Sequence, residues 1–228
     1  MSYPLVIKDN FFSDPDSIAR LSKEAEYSTS QNTWPGRRSG FLHKINFKLY
    51  AYIGQQIIML IHDILPTSYN LEASFQKINP YVRNDKWNKK NRGWVHKDHC
   101  VFGGIIYLDR NPDKDAGTSI YKSKDGYEVQ TAESLFYKQK LYGGNEVDDV
   151  QYNEAYDVIR DQYEETLRIP NLYNRLVLIP GDQWHSMTTT GDKERHTLVF
   201  FCHQLEGVSP PEYKKGQSIS IPNHELYN

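Results

Sequence analysis

Trp94-Val95-His96-Lys97-Asp98-His99-Cys100 runs shortly into Gly103-Gly104-Ile105-Ile106-Tyr107-Leu108. The second run is apolar and rich in β-formers, and the first reads as a short strand with polar side chains on one face. In extended chain, residues i and i+2 point the same way. His96 and Asp98 therefore lean toward a common point, and His99 leans away. Further short strands surround this pair. Ala73 to Val82 alternates weakly, and Gly117-Thr118-Ser119-Ile120-Tyr121 follows the polar turn Asn111-Pro112-Asp113-Lys114-Asp115. Arg175-Leu176-Val177-Leu178-Ile179 and the run from Arg195 to Cys202 are strongly apolar.

Upstream the periodicity changes. Leu5 to Phe12 reads as a first strand. Ser13-Asp14-Pro15-Asp16 supplies a polar cap and an early proline, which predicts a helix to about Ala25. Trp34 to Gly40 is rich in turn residues. Phe47 to Leu65 reads as a second helix, with Ile53, Ile57, Ile58, Leu60, Ile61 and Ile64 available for burial and Pro66 ending it. A third helix is predicted within Asn153 to Arg168, where Tyr156, Ile159, Tyr163 and Leu167 recur at helical spacing. Helices followed by many short strands suggest an α+β domain whose strands form a jelly-roll barrel, with the N-terminal helices packed on one sheet. The expected organisation is a single domain, 1–228. Residues 1–70 form a helical support, 72–204 the jelly-roll core with an insertion at 122–170, and 205–228 an irregular tail.

With a formal net charge of −2, nothing in the overall balance calls for nucleic acid or an anionic membrane. No apolar run nears the roughly 20 residues needed to cross a bilayer. Cys100 and Cys202 are the only cysteines, too few to staple such a chain, and no leader precedes Ser2-Tyr3-Pro4. A soluble, cytoplasmic protein is expected. The 17 tyrosines point to an interior that lines polar pockets as well as dry core, because each buried phenol asks for a partner.

Pro180-Gly181-Asp182-Gln183-Trp184-His185 ends one apolar run, and its turn can carry a second imidazole back toward His96. Two imidazoles and a carboxylate suit a divalent metal of intermediate hardness such as iron(II), and three ligands on one face leave positions open for reactants. His96, Asp98 and His185 are the candidate ligands. His99, His196 and His203 are set aside, the first by alternation and the others by their place in the last strand. Arg195 is either a solvated rim charge or a fork that grips a carboxylate inside the barrel. Thr197, two residues on, faces the same way. Tyr107 is either a core ring or a phenol offered to the same ligand.

Taken in order, His96-x-Asp98, Tyr107-Leu108-Asp109, Gly117-Thr118-Ser119-Ile120-Tyr121, Pro180-Gly181, His185 and Arg195-x-Thr197 resemble the iron(II)/2-oxoglutarate-dependent dioxygenases, and within them the prolyl-hydroxylase-like branch. The similarity spans about residues 75 to 204. It implies a double-stranded β-helix with Fe(II) held by His96, Asp98 and His185. It further implies 2-oxoglutarate bound through Arg195, Thr197 and Tyr107, O2 as oxidant, and ascorbate as an auxiliary reductant. The products would be succinate, CO2 and a hydroxylated protein side chain or small molecule. Related halogenases carry a small residue in place of Asp98, so its presence favours hydroxylation.

Two other readings stay open. One is a cupin-like metal-binding barrel without oxidative activity. The other is a nucleic-acid demethylase, which in this superfamily carries a second arginine where Phe201 stands. For the prime substrate, the loop Asn84 to Gly93, with Lys86, Trp87, Lys89, Lys90 and Arg92, and the insertion 122–170 are the candidate lids; a plain solvated loop is the alternative for the first.

Overall fold

The computed structural model describes residues 3–29, 34–80, 93–124, 126, 131–132, 134–136 and 148–208. Strand β1 (Val6–Lys8) leads into helix α1 (Pro15–Glu24). Asp14 caps α1 by accepting from the Ser17 amide, and Pro15 occupies the first turn, as the sequence pattern requires. Two short strands, β2 (Tyr27–Thr29) and β3 (Arg37–Ser39), precede α2 (Leu42–Ile45) and α3 (Phe47–Ile58). Asn46 caps α3 through the Leu49 amide. This helix stops earlier than its apolar pattern suggests. Tighter turns follow it, with Ile61 N donating to Ile58 O, and Pro66 disfavours helical backbone at Leu65. Ile64 and Leu65 are accordingly exposed.

The remaining elements are β4 (Ser68–Ile78), β5 (Phe102–Tyr107), β6 (Thr118–Ser123), α4 (Asp149–Arg160), β7 (Tyr163–Ile169), β8 (Leu176–Pro180), β9 (His185–Met187) and β10 (Arg195–Glu206). They form a seven-stranded sheet, β1-β8-β5-β10-β4-β3-β2, and a three-stranded sheet, β7-β6-β9. Every pairing between these strands is antiparallel. The chain is thus α+β.

Alternation along the strands sorts the residues into two layers. Phe75 on β4, Phe102 and Ile106 on β5, Leu176 and Leu178 on β8, and Leu198 and Phe200 on β10 join Leu42, Ile53 and Ile57 of the N-terminal helices in one buried cluster. The intervening residues face the other way. Tyr107, Val177 and Ile179 pack with Ile120 of β6 and Ile169 of β7, so the small sheet covers the opposite face. Arg195, Thr197, Val199 and Phe201 stand on that same face of β10, between the sheets.

Two further expected elements differ. Tyr163 to Arg168 is strand β7 rather than the end of a helix: Tyr163-Glu164-Glu165-Thr166-Leu167-Arg168-Ile169 also fits an extended strand, and pairing with β6 satisfies its backbone. The expected insertion, 122–170, therefore contains a strand of the small sheet. Trp94 to Cys100 is not a continuous strand either; His96 alone makes a bridge, to His185. Among the described residues no helix is long and apolar enough to cross a membrane.

Candidate metal centre and its cavity

The segment before β5 crosses the end of β8 and the start of β9. His96 and His185 exchange both amide hydrogen bonds, at 3.0 and 2.9 Å, and the Asp98 amide donates to Gly181 O at 3.1 Å. Gly181 permits that crossing, since a Cβ there would lie 1.8 Å from Cys100 O. Gly103 opens room beside the carboxylate: its missing Cβ would sit 3.3 Å from Asp98 Oδ2 and 3.1 Å from Phe201 Cδ1. Backbone contacts and two absent side chains, rather than a regular ladder, thus aim His96 and Asp98 together.

The result is a compact group. His96 Nε2 lies 3.6 Å from Asp98 Oδ1, and His185 Nε2 lies 3.4 Å from Asp98 Oδ2. One potential ligand atom from each of the three residues falls within 4.8 Å of the others. The imidazoles are held in matching ways. His96 Nδ1 is 2.7 Å from Trp94 O, and His185 Nδ1 is 2.9 Å from Gln183 O. A neutral imidazole that donates its Nδ1–H to a carbonyl leaves the Nε2 lone pair for a metal. Among the described residues this is the one group of three or more His, Cys, Asp or Glu with such geometry. His99 is exposed, and His196 pairs with Glu194 at 2.8 Å.

A buried polar and aromatic layer backs the pair. Trp94, Tyr121, Tyr156, Tyr163 and Trp184 pack together. Arg160 of α4 donates to Gly93 O at 3.3 Å and to the Tyr156 hydroxyl at 3.1 Å, and also to the Tyr121 hydroxyl. Tyr121 in turn accepts from Ser186, next to His185. One guanidinium so ties the approaches to both histidines.

The triad opens into a cavity of about 340 Å³, lined in part by His96, Asp98, His185, Thr118, Arg195 and Arg38. Arg195 is almost wholly buried, and its guanidinium lies 5.3 Å from the Tyr107 ring centre. Its Nε has no hydrogen-bond partner, and among the described residues no carboxylate reaches within ion-pair distance. Burial pushes this guanidinium below the usual arginine value, against the pull of Tyr107 and Asp109. Tyr107 and Thr197 stand behind the cavity wall rather than in it. The Tyr107 hydroxyl bonds Thr118 Oγ1 at 2.7 Å, and Thr197 Oγ1 donates to Gln76 O at 3.4 Å. Burial raises the Tyr107 phenol, so it stays neutral.

Other cavity residues carry no motif. Trp34, Arg38, Glu72 and His203 all line it, the last two 3.6 Å apart. An arginine in a turn-rich segment and a glutamate in a strand give no local signal; only the sheet order places them opposite Asp98. Of the candidate lids, residues 84–92 lie outside the described residues, as do 125, 127–130, 133 and 137–147 of the insertion and 209–228 of the tail.

Comparison with solved structures places the fold. HygX from Streptomyces hygroscopicus, with nickel, 2-oxoglutarate and hygromycin B bound, superimposes with a TM-score of 0.54 at 9% identity, over 93% of this chain and 84% of that one. EvdMO1 gives 0.50 at 15% identity, over 89% and 48%. A prolyl-4-hydroxylase from Pseudomonas putida gives 0.44 at 10% identity, over 89% and 93%. At these identities the likeness to HygX and EvdMO1 is one of fold. No curated protein matches the sequence. Residues 1–196 match the Family of unknown function (DUF6445), and the chain belongs to that family.

Proposed function

We propose that this protein is an iron(II)- and 2-oxoglutarate-dependent dioxygenase that hydroxylates a small molecule or a protein side chain. One observation carries the reading: a His-Asp-His group with both imidazoles set to present Nε2 opens into the same cavity as a buried arginine that has no carboxylate partner among the described residues. In this reading the two sheets are the halves of a double-stranded β-helix, whose facing strand ends bring distant residues to one mouth.

His96, Asp98 and His185 would hold the ion, and Arg195 the far carboxylate of the cosubstrate. The spacing supports this. Thr118, beside Tyr107, is two residues along β6 from Ile120, which pairs with His185. That is about 7 Å along a strand, a gap that a five-carbon diacid bridges. Thr118 lines the cavity with Arg195 and limits the diacid's tilt, and the Tyr107 phenol behind the wall holds the Thr118 hydroxyl. A bound ferrous ion supplies the activation of O2. The balance is 2-oxoglutarate + O2 + R–H → succinate + CO2 + R–OH. One oxygen atom enters the succinate carboxylate and the other the new hydroxyl. The cosubstrate and R–H each lose two electrons, and O2 gains four. Asp98 completes the ligand set, which favours hydroxylation over halide transfer.

The test is iron-dependent release of succinate from 2-oxoglutarate, including the slow turnover expected without prime substrate. Loss of that release in Asp98→Ala, with the fold intact by circular dichroism, supports the reading. A fully active Asp98→Ala variant rejects it.

A further inference from the structure

Arg38 sits in the cavity wall. Its guanidinium lies 4.5 Å from the Trp34 ring centre and 5.3 Å from that of Phe201. Its Nε is inaccessible and has no hydrogen-bond partner, and among the described residues no carboxylate comes within ion-pair distance. Asp98 and Glu72 are the acids that act on it from further off, and burial still pushes it down to about 10. Both acids have other company: Asp98 lies between the two imidazoles, and Glu72 faces His203. A desolvated guanidinium without its own counter-ion is costly to keep. Two aromatic walls and a cavity-lining guanidinium with no ion-pair partner among the described residues describe a receptor for a planar anion.

Its guanidinium and that of Arg195 have different neighbours, Trp34 and Phe201 for the one and Tyr107 for the other. Phe201 and Arg195 are six residues apart on β10, about 20 Å along the strand. Phe201 stands at the Asp98 end, beside Gly103. The Arg38 backbone pairs with Gln76, in the row of Thr197, and its side chain leans along the sheet to Phe201, toward the Asp98 end. Building on the dioxygenase reading, we propose that the prime substrate bears a carboxylate that docks on Arg38 between Trp34 and Phe201, and so presents its neighbouring C–H bond to the metal centre. Arg38 acts as a specificity-determining residue, separate from the cosubstrate site.

The test uses fluorobenzoate and its uncharged twin, fluorobenzamide, as probes, with binding followed by fluorine NMR. The protein is loaded with Mn(II) and saturated with 2-oxoglutarate, so that Arg195 is occupied. Fluorobenzoate is expected to bind saturably and at least about tenfold tighter than fluorobenzamide. Arg38→Gln should remove that preference and Arg38→Lys should restore part of it, while both change 2-oxoglutarate affinity less than about threefold. Thermal melts show whether the variants are folded. If one is not, the acid-to-amide ratio in the parent at rising chloride concentration reads the same charge contact.

Equal binding of acid and amide overturns the proposal, as does a preference that survives Arg38→Gln. A loss of 2-oxoglutarate binding in Arg38→Gln equal to that in Arg195→Gln also overturns it, by making Arg38 part of the diacid site. Failure of the metal-loaded parent to take 2-oxoglutarate rejects the dioxygenase reading instead; fluorobenzoate titration of the protein alone then still decides whether Arg38 holds an anion.

Discussion

His96 and His185 are joined by two backbone hydrogen bonds, His96 N to His185 O at 3.0 Å and His185 N to His96 O at 2.9 Å, and their ring centres lie 4.5 Å apart. Distant parts of the chain are registered at these two residues. The side chains therefore leave neighbouring backbone positions on one side, and each ring is oriented by a carbonyl two residues before it. The geometry belongs to the backbone, which makes it sensitive to the backbone around it.

Gly181 is the most exacting such position. Gly181→Ala would put a methyl 1.8 Å from Cys100 O and 3.1 Å from Asp98 O, both rigid backbone atoms. The crossing segment must move, taking Asp98 with it. The expected outcome is a lower melting temperature together with at least tenfold weaker metal binding, on the scale of losing a supporting partner of a ligand. Calorimetric titration with Mn(II) measures it.

Arg195 should act on the cosubstrate and leave the metal alone. Replacing it by Gln removes a charged, two-pronged contact worth about 1.5–3 kcal/mol, so 2-oxoglutarate affinity should fall ten- to a hundredfold. Arg195→Lys should recover only part of this, because an ammonium cannot match both oxygens. Metal affinity should stay within about twofold in both. Equilibrium binding of 2-oxoglutarate and of Mn(II) separates the two effects.

Arg160→Met tests the layer behind the histidines. It keeps apolar bulk but strips the donors to Gly93 O, Tyr156 and Tyr121. Gly93 O keeps the Tyr156 hydroxyl and Tyr121 keeps Ser186, so the loss is that of charged hydrogen bonds, about 1.5–3 kcal/mol each at most. The melting temperature should fall, and metal affinity should fall with it, since both histidine approaches loosen. A variant with the parent's metal affinity would show that α4 supports the fold alone.

Asp109 gives a pH dependence. Burial raises its carboxyl, against the backbone donor from His196 and the charges of His196, Arg195 and Lys23. A raised acid contributes stability that is complete below the unfolded value, near 3.9, and is lost as pH climbs through the folded value. At neutral pH the buried anion is therefore a cost. Asp109→Asn keeps an oxygen for the His196 amide, now 2.8 Å from Asp109 Oδ2. The variant should melt at or above the parent at pH 7, and the difference should shrink toward pH 4. Melting curves across that range check it.

Much of this arrangement was legible in the residues. The apolar strands β5, β8 and β10 announce themselves by composition, and the His-x-Asp pair, the Pro-Gly turn and the second histidine mark the places that meet. Strand β7 was hidden because Tyr156, Ile159, Tyr163 and Leu167 satisfy a helical period that changes to a strand period after Arg160; only pairing with β6 decides between them. The reach of α3 was overestimated because apolar residues continue past the point where Pro66 lets the helix run. Arg38 was illegible for another reason. Strand β3 has three residues, two of them arginines, and nothing local tells a buried arginine from a solvated one. Its surroundings are completed by Phe201, which sheet order alone brings to it across from the nearby Trp34.

The most direct test of the central claim is the visible absorption of the anaerobic protein with one equivalent of Fe(II), recorded as 2-oxoglutarate is added. A weak charge-transfer band should grow to saturation at one diacid per iron. It should be absent in His96→Ala and His185→Ala and need far more 2-oxoglutarate in Arg195→Gln. Iron that binds the parent stoichiometrically yet gives no band, or a band that persists without either histidine, would contradict the assignment of this centre.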